Sequence, residues 1–426
     1  MTLTRAGSPA RQQLIRVLNE QLLLDHIRRI GEVSRPDLAR MSRLSKPTVS
    51  LALANLQRAG LIRSSGVRTG APGRAAILYE VRPEAGFVLG LDVGSQFLRG
   101  AIVDLAGTRR AQQELRVRAA SGAAERVAAL RQLAGDLLRA AGLTAADVTQ
   151  TVLGCPGVYD PRRDALGLAG GLPGWEQPTV LTELRAAFGA DLMLENDIDA
   201  AALAERAHGH GQDMDSFAFV SIGTGIGMGL VLGGQLHRGA HGAAGEIAYL
   251  PVCAAADAAD ASDARRRGSL EAAASAAGIV RAARRAGMRG PVSARAVFAA
   301  AGSGDGRAGK VVADEALLVA KAITAVIAVA DPELIVLGGG VGQAEGFLAA
   351  VAAEVRHLAP VLPELRVSAL GTAAVVDGCL AAGLDRAWQI VTAALPRLAP
   401  ADLEPWTPNG SAPRPALPDP RREPTR

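Results

Sequence analysis

Glu195-Asn196-Asp197 closes a short apolar run, Leu192–Leu194, and opens a stretch rich in alanine and leucine. An aspartate at such a strand end accepts a proton from a hydroxyl, and a neighbouring asparagine binds a diol. A helix cap at Asn196 or Asp197 uses the same residue types equally well. Glu246, in Gly242-Ala-Ala-Gly-Glu-Ile, and Glu271, in Gly268-Ser-Leu-Glu, suit a hydroxyl-binding ring or the charged end of a solvated helix. Three glycine-rich turns follow apolar runs: Asp92-Val-Gly94, Gly223-Thr224-Gly225-Ile-Gly227 and Gly338-Gly339-Gly340-Val-Gly342. Glycine at a strand end lets the backbone approach a phosphate and offer N–H donors to it. One such turn is weak evidence, because hairpins also use glycine; three in order point to a ligand cleft. Histidines add little. His208 and His210 lie in a glycine loop and His237 and His241 flank Gly239, without metal-binding helical spacing. Only His241 is close to the expected ring of carboxylates.

These residues need two similar lobes to position them. Phe87–Asp104 reads as an apolar run, a glycine turn and a second apolar run, and Phe217–Leu232 repeats that plan. Helical stretches follow: Ala123–Ala141 after the first, Leu270–Ala286 and Asp314–Ala330 after the second. Two α/β lobes facing a cleft explain the pattern; a single open sheet is the simpler alternative. The 426 residues exceed one ordinary domain, and 49% hydrophobic residues suffice for a large core. No run is long and apolar enough for a membrane span, since Ala316–Leu337 is broken by Lys321 and Asp331-Pro-Glu333. The first residues lack an apolar signal core. Cys155, Cys253 and Cys379 are too few and scattered for a disulfide framework or a zinc cluster. A cytoplasmic protein is expected.

Net charge is +4, but residues 1–86 alone carry 14 Lys+Arg against 6 Asp+Glu. That basic head is read as a helix-turn-helix. Gln12–Arg29 has apolar positions at Leu14, Ile15, Leu18, Leu22 and Ile27, taken as the buried stripe of a first helix. Ser34-Arg-Pro-Asp37 starts a second, and Ser45-Lys-Pro-Thr-Val-Ser50 a third, where Pro47 falls in the first turn. Val49, Leu53 and Leu56 face the core, and Gly60 ends the helix. A β-hairpin wing follows through Val81. Lys46, Thr48, Ser50 and Asn55 are left for a DNA major groove, and Arg68 and Arg74 lie on the wing, suited to phosphates or a minor groove. A helical protein-interaction domain with surplus arginine is the alternative.

Asp92-x-Gly94, Pro173-Gly-Trp175, Glu195-Asn-Asp197, Gly223-Thr-Gly-Ile-Gly, Gly245-Glu246 and Leu337-Gly-Gly-Gly-Val, in this order behind a winged head, resemble the ROK family of sugar-responsive repressors and sugar kinases. The resemblance covers about residues 12–395. It implies an α/β architecture: a winged helix-turn-helix followed by a two-lobed actin/hexokinase-like (ribonuclease H-like) ATPase fold. It implies that Asn196 and Asp197 bind sugar, with Asp197 the base in kinases, and that Glu246 and Glu271 are sugar-hydroxyl ligands. Asp92, Gly94 and Gly223–Gly227, with Thr224, match the phosphate loops, and Gly338–Gly340 the adenosine side.

The departures are as informative. Gly94-Ser-Gln-Phe97 stands where kinases of the family carry Gly-Gly-Thr-Lys, which removes a hydroxyl and a charge that favour ATP. The family's structural zinc needs a histidine where Tyr249 stands, and a cysteine-rich run where Ala254–Arg267 supplies neither Cys nor His. Tyr249 retains a hydroxyl for sugar. Gly171 replaces an asparagine before Leu-Pro-Gly-Trp.

The expected organisation is a frayed 1–10, a DNA-binding head over 11–82, one lobe from 87–198 plus 372–395, a second over 199–371, and a proline-rich disordered tail over 399–426, with eight prolines from Pro400 onward. The expected function is a sequence-specific, sugar-responsive transcriptional repressor. Its expected partners are operator DNA and a sugar effector, with no membrane. It is expected to form a homodimer or homotetramer and to need neither zinc nor ATP. The alternatives are an ATP-dependent hexose kinase with a DNA-binding head, and a constitutive DNA-binding protein with a vestigial cleft.

Overall fold

The computed structural model describes residues 9–68, 76–169, 171–252 and 258–393. Arg74, Cys253 and the proline-rich tail lie outside the described residues.

The head begins with α1 (Pro9–Ile30) and the two-residue β1 (Val33–Ser34). Ser34 Oγ accepts the Asp37 N–H at 3.3 Å and starts α2 (Arg35–Ser42). Ser45 Oγ repeats the device on Thr48 N–H, with Pro47 in the first turn of α3 (Lys46–Arg58). Gly60, at φ +71°, lets the chain leave α3 for the hairpin of β2 (Ile62–Arg68) and β3 (Ala76–Val81). Strand β1 pairs with the other edge of β3. The result is a winged helix-turn-helix with Leu38, Val49, Leu53 and Leu56 fully buried.

The first helix departs from the expected stripe. Leu14, Ile15, Leu18 and Leu22 are exposed at 39–59%, whereas Leu23, Leu24 and Ile27 are buried with Glu20. Positions 20, 23, 24 and 27 share one face at helical spacing, so α1 carries apolar residues on two opposite faces. Periodicity alone cannot say which of two stripes meets the core.

The body holds two five-stranded sheets of the same order. In the first, β4 (Phe87–Val93), β5 (Phe97–Asp104) and β6 (Arg109–Arg116) form an antiparallel meander. After α4 (Ala123–Ala141), β7 (Val148–Cys155) returns parallel to β4. A small hairpin, β8 (Val158–Asp160) with β9 (Ala165–Gly167), and α5 (Pro178–Phe188) precede β10 (Met193–Asn196), parallel to β7. Helix α6 (Asp197–His208) leads to the second sheet. There β11 (Phe217–Ile222), β12 (Ile226–Leu232) and β13 (Gln235–Leu236) form the antiparallel part. Helices α7 (Ala258–Arg267), α8 (Ser269–Ala274), α9 (Ala276–Arg285), α10 (Ala294–Gly302) and α11 (Gly306–Ala330) follow. Strand β14 (Leu334–Gly338), the single turn α12 (Gly339–Gly342), α13 (Phe347–Leu358) and β15 (Glu364–Val367) complete the lobe. Strands β14 and β15 add in parallel. The orders β6-β5-β4-β7-β10 and β13-β12-β11-β14-β15 coincide strand for strand, so the sequence repeat is two lobes and not one open sheet. Every residue of β4 and of β14 is buried, as strands covered on both faces require.

The single helix expected over 270–286 is broken at Ser275. That residue is extended (φ −74°, ψ 167°), caps α9 through Gly278 N–H at 3.4 Å, and frees Ala276 N–H to reach Gly223 O at 2.8 Å. The break thus fastens the helices to a glycine turn of the cleft.

The chain returns in α14 (Ala374–Ala393), which packs on α6, β4 and β7. Glycines permit this approach: a Cβ on Gly378 would overlap the Ala200 carbonyl, and one on Gly383 would overlap Val88. The far end of α14 joins the head. Trp388 and Ala387 share one core with Leu23, Leu24 and Ile27, and Arg28 lies over the Trp388 ring at 4.6 Å. The head is therefore joined to the first lobe through a common core. Among the described residues no helix is long and apolar enough to cross a membrane.

Candidate functional site

The cleft is built around the junction of β10 and α6. Asn196 caps α6: its Oδ1 accepts the N–H groups of Ile198 (2.8 Å) and Asp199 (3.1 Å), and its Nδ2 donates to Gly157 O (2.9 Å). The cap is thus real, and the diol-binding capacity of Asn196 shrinks to one remaining amide hydrogen. Asp197 follows in the first turn, where Ile198 N–H donates to Oδ1 at 3.0 Å. Glycines of β12 allow the second lobe to close on this turn: a Cβ on Gly227 would lie 3.0 Å from Ile198 Cγ1, and one on Gly229 would overlap the Ala202 methyl.

Glu271 sits on α8. Its Oε2 accepts the Ile226 N–H (2.9 Å), and its Oε1 takes Arg267 Nε (2.7 Å). Arg267 also donates to Thr224 O (3.2 Å), so it ties the Gly223–Gly225 turn to α7. Glu246 is placed by Gly245, whose φ of +91° and contact with the Met228 carbonyl exclude any side chain. Tyr249 is half-exposed, and its hydroxyl donates to Arg266 O (3.4 Å).

The carboxylates are strongly perturbed. Burial raises Asp197 to about 6, against the Ile198 hydrogen bond and with help from Glu271. Burial raises Glu246 to about 7, reinforced by Asp197 and Glu271. Burial raises Asp199 to about 8, reinforced by Glu195 and opposed by Arg238. Such groups accept hydrogen bonds from hydroxyls, and a carboxylate titrating near neutrality is suited to general-base work.

The turns expected to hold phosphate are brought near one another but are partly occupied. Gly223 and Gly340 lie side by side, a Cβ on the former being 3.6 Å from the latter's nitrogen. Gly339 adopts φ +76° against the Ile222 carbonyl, which no side chain tolerates. On the first lobe, Gly94 N–H closes a tight turn onto Phe97 O (2.9 Å). Asp92 is not free: Arg99 Nη1 lies 3.2 Å from its Oδ2 and donates through Nε to Glu114 (2.7 Å). Burial, followed by the Asp197 charge, still holds Asp92 up at about 7. Beneath the turn, the fully buried Arg126 donates to the carbonyls of Gly94 (2.8 Å), Ser95 (3.0 Å) and Ala119 (3.1 Å).

Sequence reasoning missed Arg99, Arg126, Arg238, Asp199 and Arg267. Asp199 had a signal, two residues beyond Asp197 on the same helix start, and so did Arg267, four residues before Glu271. Arg126 and Arg238 act across the fold, with partners up to 43 residues away, which no local pattern reveals.

On the head, Lys46 is exposed and Thr48 and Ser50 are half-buried on the first turns of α3. Thr48 and Ser45 share a hydroxyl hydrogen bond (2.7 Å); Ser50 donates to Lys46 O and accepts from Arg35. Asn55 corrects the expectation. It is 7% exposed and donates to the buried Glu20 at 2.7 Å, so it faces α1 and is not available to DNA. Arg68 is exposed and pairs with Asp37 of α2 at 3.3 Å. Arg74 lies outside the described residues.

Comparison with known proteins places this geometry. A model of the ROK family matches residues 88–380. The crystal structure of a ROK family transcriptional regulator, a homolog of the E. coli MLC protein, is 25% identical and covers 89% of this chain and 99% of its own, with a TM-score of 0.68. A ROK hexokinase from Thermus thermophilus is 30% identical over 71% of this chain and 99% of its own, with a TM-score of 0.60. The xylose repressor of Bacillus spizizenii is 22% identical over 57% of this chain and 62% of its own. The chain spans from about a third to about three-fifths of the length of the curated relatives it matches.

Proposed function

This chain belongs to the ROK family, and on that premise we propose that it is a sugar-responsive transcriptional repressor of the cytoplasm. The observation that carries the reading is a continuous run of packing from cleft to head. Asp197 opens α6, α6 packs on α14 through the Gly378–Ala200 approach, and α14 ends in Trp388 within the core of α1. A ligand that moves the start of α6 thereby biases the seating of the head, and differential affinity for two seatings couples the sites. The regulator likeness covers the head as well as the lobes, whereas the hexokinase likeness covers 71% of the chain.

In this reading Asp197, Glu246, Glu271 and Tyr249 receive sugar hydroxyls, with Asn196 as a cap that keeps one donor free. The start of α3 enters the major groove, where Lys46, Thr48 and Ser50 reach DNA and Arg35 supports Ser50. Arg68 and Arg74 serve the backbone. Two heads on a two-fold operator call for a homodimer or a dimer of dimers.

A hexose kinase is the second reading, favoured by Asp197 near neutrality beside the Gly223–Gly225 turn. Against it, Arg99 occupies the carboxylate that would face a metal–nucleotide, and Phe97 closes the turn where the kinases carry lysine. The zinc of the family fits no better: Tyr249 stands in the histidine position and is turned to the Arg266 carbonyl.

Fluorescence anisotropy with DNA from upstream of the protein's own gene tests the proposal, against scrambled DNA at one fixed salt. A preference of about a thousandfold or more, relieved by one sugar, is expected. Equal weak binding to both DNAs, with ADP release on a hexose that Asp197→Asn abolishes, would replace the repressor by the kinase.

A further inference from the structure

The charges of the cleft do not balance. Glu195 is held by Arg238 through two contacts (2.5 and 3.1 Å), Glu271 by Arg267, and Asp92 by Arg99. Asp197, Asp199 and Glu246 have no ion-pair partner among the described residues. Arg238 also faces Asp199, but it is already committed to both oxygens of Glu195. The N-terminus of α6 offers a partial positive charge of about half a unit, too little for three carboxylates.

Asp199 is the decisive member. It is 4% exposed, and its Oδ1 has no hydrogen-bond partner. It lines a cavity of about 260 Å³ beside the α6 start, together with Tyr159, Glu195, Asn196, Arg238 and Gly242. A liquid water takes about 30 Å³, so the cavity accepts a substituent of a ligand as well as solvent. A buried acceptor without a donor has lost its water with no hydrogen bond in return. A ligand that supplies the donor restores that bond, and a cationic donor also favours the ionised form of Asp199, which burial and the neighbouring Glu195 charge hold back at about 8.

We propose that the cleft selects a sugar bearing a protonated amine, whose ammonium group enters this cavity and donates to Asp199. The proposal rests on the sugar-binding reading above and specifies its ligand class. A neutral sugar hydroxyl also donates to Asp199 but brings no charge to offset Asp197 and Glu246, and sugar acids or sugar phosphates add charge of the wrong sign there.

The test is calorimetric titration at pH 7 with matched pairs: glucosamine and glucose, galactosamine and galactose, mannosamine and mannose. One amino sugar should bind at least about tenfold more tightly than its neutral counterpart. That ratio should shrink toward one at pH 5, where Asp197 and Glu246 are protonated as well and the ammonium must expel a proton from Asp199, already held at about 8, and in Asp199→Asn at pH 7. A neutral sugar that binds as tightly as its amino counterpart overturns the amine proposal and leaves the sugar-binding reading standing. So does a preference that survives unchanged at pH 5, a measurement on the wild-type chain that does not depend on the variant folding. Heat from none of the six sugars overturns both.

Discussion

Trp388→Ala probes the joint between cleft and head. Trp388 is 4% exposed and shares a core with Leu23, Leu24, Ile27 and Ala387. Truncating a buried tryptophan to alanine costs about 3–5 kcal/mol. The Arg28 guanidinium over the ring adds about 0.5–2 kcal/mol. The remaining Arg28–Asp385 pair, at 3.9 Å with Asp385 76% exposed, contributes under about 1 kcal/mol. The loss is therefore about 3.5–7 kcal/mol at the seat of the head. Coupling between effector and DNA sites is typically about 1–3 kcal/mol, or five- to 150-fold in affinity. Coupling cannot survive when the contact that transmits it is weakened by more than its own size. Anisotropy with operator DNA should show an effector ratio near one in the variant, against five or more in the wild type. Leu38, Val49, Leu53 and Leu56 belong to the same core but are not themselves altered, so DNA binding without effector should persist. Calorimetry should show the head melting in its own transition, earlier than the body. A variant that keeps the full effector ratio would refute the α14 route, whatever its melting temperature.

Three further perturbations separate structural from functional roles. Asn55→Ala should destabilise the head by about 2 kcal/mol in urea melts, because Glu20 loses its charge-assisted hydrogen bond; unchanged stability with altered base preference would return Asn55 to the DNA face. Arg126→Met should cost about 2–4 kcal/mol and raise hydrogen exchange over residues 94–97, since the Gly94 and Ser95 carbonyls lose a charged donor; protected amides there would contradict the clamp. The folded-state values of Asp197, Asp199 and Glu246, about 6, 8 and 7, lie above those of free carboxyls, so the native state binds more protons than the unfolded chain between about pH 4 and pH 8. Stability from these groups is therefore present at low pH and lost as pH rises to 8. Each tenfold gain in a carboxylate's proton affinity on folding is worth about 1.4 kcal/mol before solvent screening. Melting temperature should fall over that window more steeply in the wild type than in Asp199→Asn; parallel curves would show that Asp199 is not perturbed.

The elements were legible wherever a local rule fixes them. Ser34 and Ser45 announce α2 and α3 because each serine oxygen satisfies an amide that the helix cannot. The paired lobes were legible because the same strand–turn–strand plan recurs 130 residues apart. What escaped was the choice between equivalent local patterns. The stripe 14-15-18-22 and the face 20-23-24-27 on α1 are both helical, and which one is buried is decided by partners far along the chain, α3 and β3 in the head and Trp388 over 360 residues away. Asn55 reads as a polar residue free for DNA until Glu20 is seen opposite it. The site carboxylates other than Asp199 were found from type and position, but not the arginines that neutralise half of them: Arg238 reaches Glu195 over 43 residues, whereas Arg267, four residues before Glu271, was within local reach.

In the repressor reading proposed above, the same ion pairs account for a cleft that serves sensing while keeping the shape of a catalytic one. A phosphoryl-transfer site needs an exposed carboxylate for the metal and donors for the transferred phosphate. Here β5 presents Arg99 directly across from Asp92 in the strand register, and the guanidinium bridges Asp92 to Glu114. Arg126 draws the Gly94 and Ser95 carbonyls inward and makes the turn rigid from below. Both arginines spend themselves on groups of the protein itself, so the first lobe keeps the fold of a nucleotide loop while giving up its charge. On the second lobe the reverse holds: Asp197 and Asp199 at the start of α6, with Glu246 near them, are left uncompensated, and α6 packs on α14. Unbalanced charge at that helix start is energy that a ligand can release. Because Gly378 brings α14 against the backbone of α6 with no side chain between them, a shift of α6 has little compressible material to absorb it before Trp388.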